Sequence, residues 1–195
     1  MTTRYPEYDA LLQERLTPKR YRHSVNVMER AVELARIHGA DPQKAELAGL
    51  IHDIEKNTSP KILLQSLQNS DILLTDADIF SPQLWHAPAG YLYARDVLGI
   101  DDADVLYAIR YHTTGRAGMS LLEKVVYLAD LTSADRDFSD IREVRHLADV
   151  DLDAALFYSL QFILGDLVKH GKLLHPDSLA CYHEIALGRA RRMEP

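Results

Sequence analysis

The chain has 195 residues, 26% of them charged and 47% hydrophobic, enough for one domain with a sizeable core and too apolar for a disordered chain. Acidic residues outnumber basic ones 29 to 22, giving a net charge of −7 with no basic stripe, so nucleic acid is not the expected partner. Cys181 is the only cysteine, no apolar run is long enough for a membrane span and no secretory leader pattern opens the chain; a soluble cytoplasmic protein is expected.

Helix start and stop signals are clear. Thr17-Pro18 reads as an N-cap with proline at the first helical position, and Gly39 closes a helix over 19–38. Within it Tyr21, Val25, Met28, Val32 and Ala35 recur at three- and four-residue steps, which predicts the buried face. Asp41-Pro42 starts the next helix, with Ala45, Ala48 and Ile51 facing the core and its end near His52-Asp53. Ser59-Pro60 and Ser81-Pro82 repeat the start signal, and Ser120 with Glu123 forms a capping-box pattern before the apolar run 125–131. Further helices are expected over 89–98, 103–111, 153–169 and 177–192. Loops are expected at 57–59, 71–82, 113–120 and 171–176, with 71–82 as a flexible edge. No stretch alternates long enough for a strand, so the expected fold is all-α and a single domain over 1–195, with its core over about 17–190. The apolar face over 154–164 suits core packing or, in the other reading, a homodimer contact.

The chain carries nine histidines. A His-Asp pair says little alone, since roughly one is expected by chance in such a sequence. Asp130 says more, because it lies in the nearly all-apolar run Val125-Val126-Tyr127-Leu128-Ala129-Asp130-Leu131. A carboxylate embedded there has to be paired or coordinated, unless it falls on a surface stripe or caps a neighbouring helix. Taken singly, His23, His86 and His112 read as ordinary core or half-exposed histidines. Taken with His52, Asp53 and Asp130 they supply imidazole nitrogens and carboxylate oxygens, a mixture suited to iron, manganese, zinc or similar divalent ions. Ligands spread over several helices suit a site in the core of a helical bundle. His38 and His170 fall in last helical turns, where a partly positive ring favours the dipole. His146 and His183 read as surface or packing residues.

The order His, His-Asp, Asp is that of the HD-domain phosphohydrolases, and the segments around it resemble the YqeK family of bacterial HD hydrolases. The resemblance is carried by Arg20-Tyr21-Arg22-His23-Ser24, by Ala48-Gly49-Leu50-Ile51-His52-Asp53-Ile54-Glu55-Lys56 and by the block from His112-Thr113-Thr114-Gly115-Arg116 to Ser120. Leu122 to Asp130, then Arg136-Asp137-Phe138 and Leu174-His175-Pro176-Asp177-Ser178, complete it, so that it spans roughly residues 17–190. It implies an HD-domain helical bundle with a metal centre in its core. The implied reaction is symmetrical cleavage of dinucleoside tetraphosphates, chiefly diadenosine tetraphosphate into two ADP, at a site preferring iron as one or two divalent ions.

By position, the resemblance implies His23, His52, Asp53, His86, His112 and Asp130 as metal ligands, with Asp53 bridging if two ions bind. The expected nucleophile is a metal-bound hydroxide oriented by Asp53. Lys56 and Arg116 are candidate catalytic cations, and Asn26, Thr113, Arg116, Arg136, Lys172 and His175 are candidate nucleotide contacts. A solvated surface reading stays open for Lys56, Arg116 and Arg136. The sequence departs from the family's pattern at Glu55, at Ala87 and at Ser133-Ala134-Asp135-Arg136, where Glu-Pro-Gly-Arg is common. Glu55 is expected to add negative charge beside the centre. Other nucleotides acted on by HD enzymes, or a non-catalytic nucleotide sensor, are the alternatives.

Overall fold

The computed structural model describes residues 3–193, and among them every regular element is a helix. In chain order these are α1 Pro6–Arg15, α2 Pro18–His38, α3 Pro42–Ile51, α4 Pro60–Gln68, α5 Asp76–Ile79, α6 His86–Asp96 and α7 Ala103–Tyr111, then α8 Leu121–Thr132, α9 Ile141–Val150, α10 Leu152–Lys169 and α11 Pro176–Met193. A turn of 3-10 helix, Pro82–Leu84, leads into α6. Three of the start signals cap as read, whereas Ser59 precedes α4 and Ser81 the 3-10 turn without a side-chain cap bond. Thr17 accepts from the Arg20 amide, Asp41 from Gln43 and Lys44, and Ser120 forms a reciprocal capping box with Glu123. Gly39 closes α2 in the left-handed conformation, which costs a residue without Cβ little.

The expected face of α2 is rotated. Its buried residues are His23, Ser24, Val27, Met28, Ala31, Leu34 and Ala35, whereas Tyr21, Val25 and Val32 are only half-buried. Small residues set this rotation, because Ala31 and Gly49 let α2 and α3 approach closely. A Cβ on Gly49 would stand 2.9 Å from the Met28 Cα, so the backbones touch and carry His23 beside His52. Helix α8 is the central element and packs on α2, α3, α7, α9 and α10. Its Val125, Val126, Leu128 and Ala129 are wholly buried in a core that reaches from Leu12 to Cys181. A second apolar cluster of Leu63, Leu67, Trp85, Ala89 and Leu92 joins α4 to α6.

Three helices, α1, α5 and α9, were not expected. In α1 only Leu12 is buried, so it has no apolar stripe to read. In α9 the buried Ile141, Val144 and Ala148 stand at i, i+3 and i+7 with charged residues on the opposite face, an amphipathic pattern that was legible and went unread. The 71–82 segment is not a plain loop. It holds α5, capped reciprocally by Thr75 and Asp78, and the Trp85 indole N–H donates to the Asp78 carbonyl at 2.6 Å. On α10 the apolar face is largely internal, with Ala155, Leu156, Leu160 and Leu164 buried, as core packing requires. No helix among the described residues is long and apolar enough to cross a membrane.

Candidate metal centre

Six side chains converge where five helices end or cross. His23 comes from the second turn of α2, His52 caps α3 and Asp53 follows it. His86 opens α6, His112 caps α7, and Asp130 lies near the end of α8. Five of the six are at most 3% exposed; the Asp130 side chain retains 16% and faces the opening. The imidazoles stack edge to face in a row, with centroids 5.5 Å apart for His23–His52, 4.8 Å for His52–His112 and 5.2 Å for His86–His112.

Asp53 lies at the middle of this row. Its Oδ1 is 3.1 Å from His86 Nε2 and 3.5 Å from His112 Nε2, and its Oδ2 is 3.8 Å from His52 Nε2 and 4.0 Å from His23 Nε2. Asp130 Oδ1 is 3.0 Å from His23 Nε2. Two triads of donor atoms each close to within 4.8 Å, His23/His52/Asp130 and His52/Asp53/His112.

These atoms are close without hydrogen-bonding one another well. His23 Nε2, His52 Nε2 and Asp53 Oδ1 are buried with no hydrogen-bond partner among the described residues. Buried polar atoms left so are rare and costly, whereas a cation between them would satisfy all three. The ring tautomers agree. His52 Nδ1 lies 2.8 Å from the Gly49 carbonyl and His112 Nδ1 2.8 Å from that of Ile109, so each Nδ1 carries the hydrogen and each Nε2 presents its lone pair. A divalent cation therefore fits this donor set. Burial pulls the pKa of His52 down to about 4 despite Asp53, so its ring is neutral at neutral pH. Burial tends to raise the pKa of Asp53 and Asp130, but the surrounding imidazoles, and Arg136 beside Asp130, outweigh it and keep both ionised.

Three cations ring the centre. Lys56 Nζ is 2.9 Å from His86 Nε2 and 3.6 Å from Asp53 Oδ1, and burial lowers its pKa. Arg20 Nη1 lies 3.6 Å from Asp53 Oδ2, and Arg136 forks onto the Asp130 carboxylate and carbonyl. Arg20 was not anticipated, although it stands one helical turn before His23 on the same face.

Other expected contacts lie elsewhere. Arg116 is not free for phosphate, because its guanidinium grips the wholly buried Glu123 at 2.6 and 2.8 Å and lies over the Tyr107 and Tyr111 rings. Asn26 donates to Asp135 at 2.9 Å. Glu55 turns from the centre and pairs with Arg15 of α1, so its charge is offset. Thr113 lines a groove of about 200 Å³ with Arg110, Tyr111, Asp78 and His175, next to His112. Lys172 is exposed on the rim of a separate groove near Phe80 and His170.

His175 has both ring nitrogens engaged. Nε2 is 3.0 Å from Asp78 Oδ1, and Nδ1 accepts from the Asp177 amide at 3.1 Å. It ties the start of α11 to α5. Burial opposes the ionisation of Asp78, but the His175 hydrogen bond and the Thr75 donors bring its pKa down to about 2. A lowered folded-state pKa stabilises above the ordinary aspartate range and is lost as acid protonates the group. His175→Ala is expected to raise amide exchange over 72–81 about tenfold at neutral pH, the loss of roughly 1.4 kcal/mol, with the difference fading in acid. Hydrogen-exchange mass spectrometry of the two proteins checks it.

A carboxylate-and-imidazole centre in the core of a helical bundle defines a metal-dependent hydrolase of the HD type. The HD-domain family model matches residues 20–135, which include all six converging side chains. The chain is 42% identical over 181 residues to the symmetrical bis(5'-nucleosyl)-tetraphosphatase of Halalkalibacterium halodurans, covering 91% of this chain and 94% of that one. It is equally similar, 42% over 180 residues, to the Bacillus subtilis protein of the same name, covering 92% and 96%. A crystal structure from Clostridium acetobutylicum, described as a predicted HD superfamily hydrolase involved in NAD metabolism, superposes with a TM-score of 0.92 at 38% identity, over 96% of this chain and all of that one. The chain belongs to the HD-domain family and, within it, to the YqeK group of symmetrical bis(5'-nucleosyl)-tetraphosphatases.

Proposed function

We propose that the chain hydrolyses dinucleoside tetraphosphates symmetrically, converting diadenosine tetraphosphate and water into two ADP. The observation that carries the reading is the set of buried, mutually unsatisfied donor atoms at Asp53, His52 and His23, in a chain 42% identical to two proteins named for that activity. His23, His52, Asp53, His86, His112 and Asp130 would hold one or two divalent ions. We assign iron first and manganese second, since a mixed imidazole and carboxylate set suits both. When bound, such ions lower the pKa of water and draw charge from phosphoryl oxygens.

The rest is done by the chain. Asp53, ionised and facing four imidazoles, orients the water for in-line attack on an inner phosphorus, and ADP departs from the far side. Lys56, Arg20 and Arg136 face the centre and offset the negative charge of the tetraphosphate, with Arg forks matched to phosphate oxygens. Burial of the histidines excludes bulk water and strengthens each of these contacts. Thr113 and the groove beside it are placed to take a nucleoside. The protein is assigned to the cytoplasm, where this nucleotide chemistry takes place in a reducing medium.

Product chromatography tests the reading. Purified protein loaded with iron or manganese is expected to give ADP alone from diadenosine tetraphosphate and to leave NAD and nucleoside monophosphates intact. Formation of ATP with AMP, or an untouched tetraphosphate, overturns it.

A further inference from the structure

The ring nitrogen that faces away from the centre decides which nitrogen faces it. His52 and His112 settle this with main-chain carbonyls, because Gly49 and Ile109 lie in the last turns of α3 and α7, where carbonyls have no partner within the helix. His23 has no such resource. It sits inside the long α2, where nearby carbonyls are spent on the helix's own ladder. Its Nδ1 is instead 2.9 Å from Asp135 Oδ2, on the loop after α8.

That carboxylate is itself held in place. Asp135 Oδ1 accepts from Asn26 Nδ2 at 2.9 Å, one turn along α2 from His23, and from the Ser133 hydroxyl at 3.0 Å. The loop is clamped from α9, where Arg145 donates to the carbonyls of Thr132, Ser133 and Arg136 at 3.0, 2.7 and 3.1 Å. Nothing in this set reaches the inside of the centre, because Nδ1 and Nε2 point to opposite sides of one ring. Asp135 thus acts only through His23.

We propose that Asp135, set by Asn26 and Ser133, is the positioning residue of His23: its carboxylate keeps the hydrogen on Nδ1, turns Nε2 to the centre and strengthens that nitrogen as a ligand. Outer carboxylates of this kind, paired to a ligating imidazole, are typically worth 10–100-fold in metal affinity. Of the rings whose outer contact is settled, His23 alone has an anion as its orienting group. An ion held by the His23, His52 and Asp130 triad would therefore be the one that Asp135 governs. The inference rests on the metal-centre reading but not on the substrate.

Mn²⁺ titration of the metal-free full chain against a competing chelator tests it, with wild type, Asp135→Asn and Asp135→Ala compared. Asparagine keeps an acceptor for the Nδ1 hydrogen without the charge, so a graded series is expected. The alanine variant should lose on the order of 10–100-fold in affinity for one ion, and the asparagine variant less. At saturating Mn²⁺, kcat should fall while KM for the tetraphosphate stays within about twofold, since both Asp135 oxygens are engaged by His23, Asn26 and Ser133. Thermal unfolding of the metal-free variants should match wild type, which separates positioning from folding. Equal Mn²⁺ affinity in all three proteins overturns the proposal. So does an alanine variant whose Mn²⁺ loss follows a lowered metal-free melting temperature while the asparagine variant binds like wild type. A wild type that shows the graded binding series but leaves the tetraphosphate intact overturns only the assigned reaction. A wild type that takes up no Mn²⁺ overturns both.

Discussion

Replacing Asp53 by alanine is expected to strip the protein of tightly held metal and to lower hydrolysis of the tetraphosphate by about three orders of magnitude, with helicity retained. The size follows from its position. Asp53 is the one residue whose two oxygens face four imidazoles, at 3.1 to 4.0 Å, so its loss opens both halves of the centre at once. A metal centre supplies several kcal/mol of transition-state stabilisation, and about 4 kcal/mol corresponds to a thousandfold in rate. Asp130→Ala should be milder in metal content. Its carboxylate faces one imidazole, His23, where Asp53 faces four, and its loss leaves Arg136 without a partner carboxylate at the mouth. Metal analysis by emission spectroscopy, far-ultraviolet circular dichroism and single-turnover rates check the pair. An Asp53→Ala protein that keeps its metal and more than a tenth of the wild-type rate would remove Asp53 from the centre.

The residues that converge at the centre were legible because most leave a local trace. Asp130 breaks an apolar run, His52 and His112 stand at helix ends beside other polar residues, and His23 lies in a helix with a clear start. Their assembly into one site is a property of the bundle, and it rests on small residues that no periodicity count weighs. Gly49 and Ala31 set the closeness of α2 and α3 and with it the rotation of α2. That is why the stripe through Tyr21, Val25 and Val32 pointed to the wrong edge of the helix. The outer contacts were illegible for a different reason. His23 meets Asp135 across 112 residues and Arg15 meets Glu55 across 40, and each pair joins elements whose packing must be known first. The short-range expectation at Arg116 meets the same limit. An arginine after Thr-Thr-Gly looks made for phosphate, yet a buried carboxylate seven residues on is a stronger demand than a solvated ligand.

Arg116→Ala is accordingly expected to act on stability before it acts on catalysis. Glu123 is wholly buried, and its carboxylate accepts from Arg116 Nε and Nη2 and from the Ser120 amide at 2.6 Å. Removing the guanidinium leaves an ionised group in the core with that single amide as donor. Breaking a buried pair from one side costs about 3–5 kcal/mol; Arg116 keeps 28% of its side chain in contact with water, so the lower end applies. For a chain of this size a loss of about 3 kcal/mol lowers Tm by roughly 6–12 °C. Adding Glu123→Gln should recover part of the loss, since an amide can stay buried without the charge, and the double-mutant cycle reads that recovery directly. KM for the tetraphosphate should stay within about twofold of wild type, because the cations at the centre are Lys56, Arg20 and Arg136. A tenfold rise in KM with an unchanged Tm would instead return Arg116 to the phosphate. The loop 113–120 would then have to swing it off Glu123 when substrate enters, leaving the buried carboxylate to the Ser120 amide in every turnover.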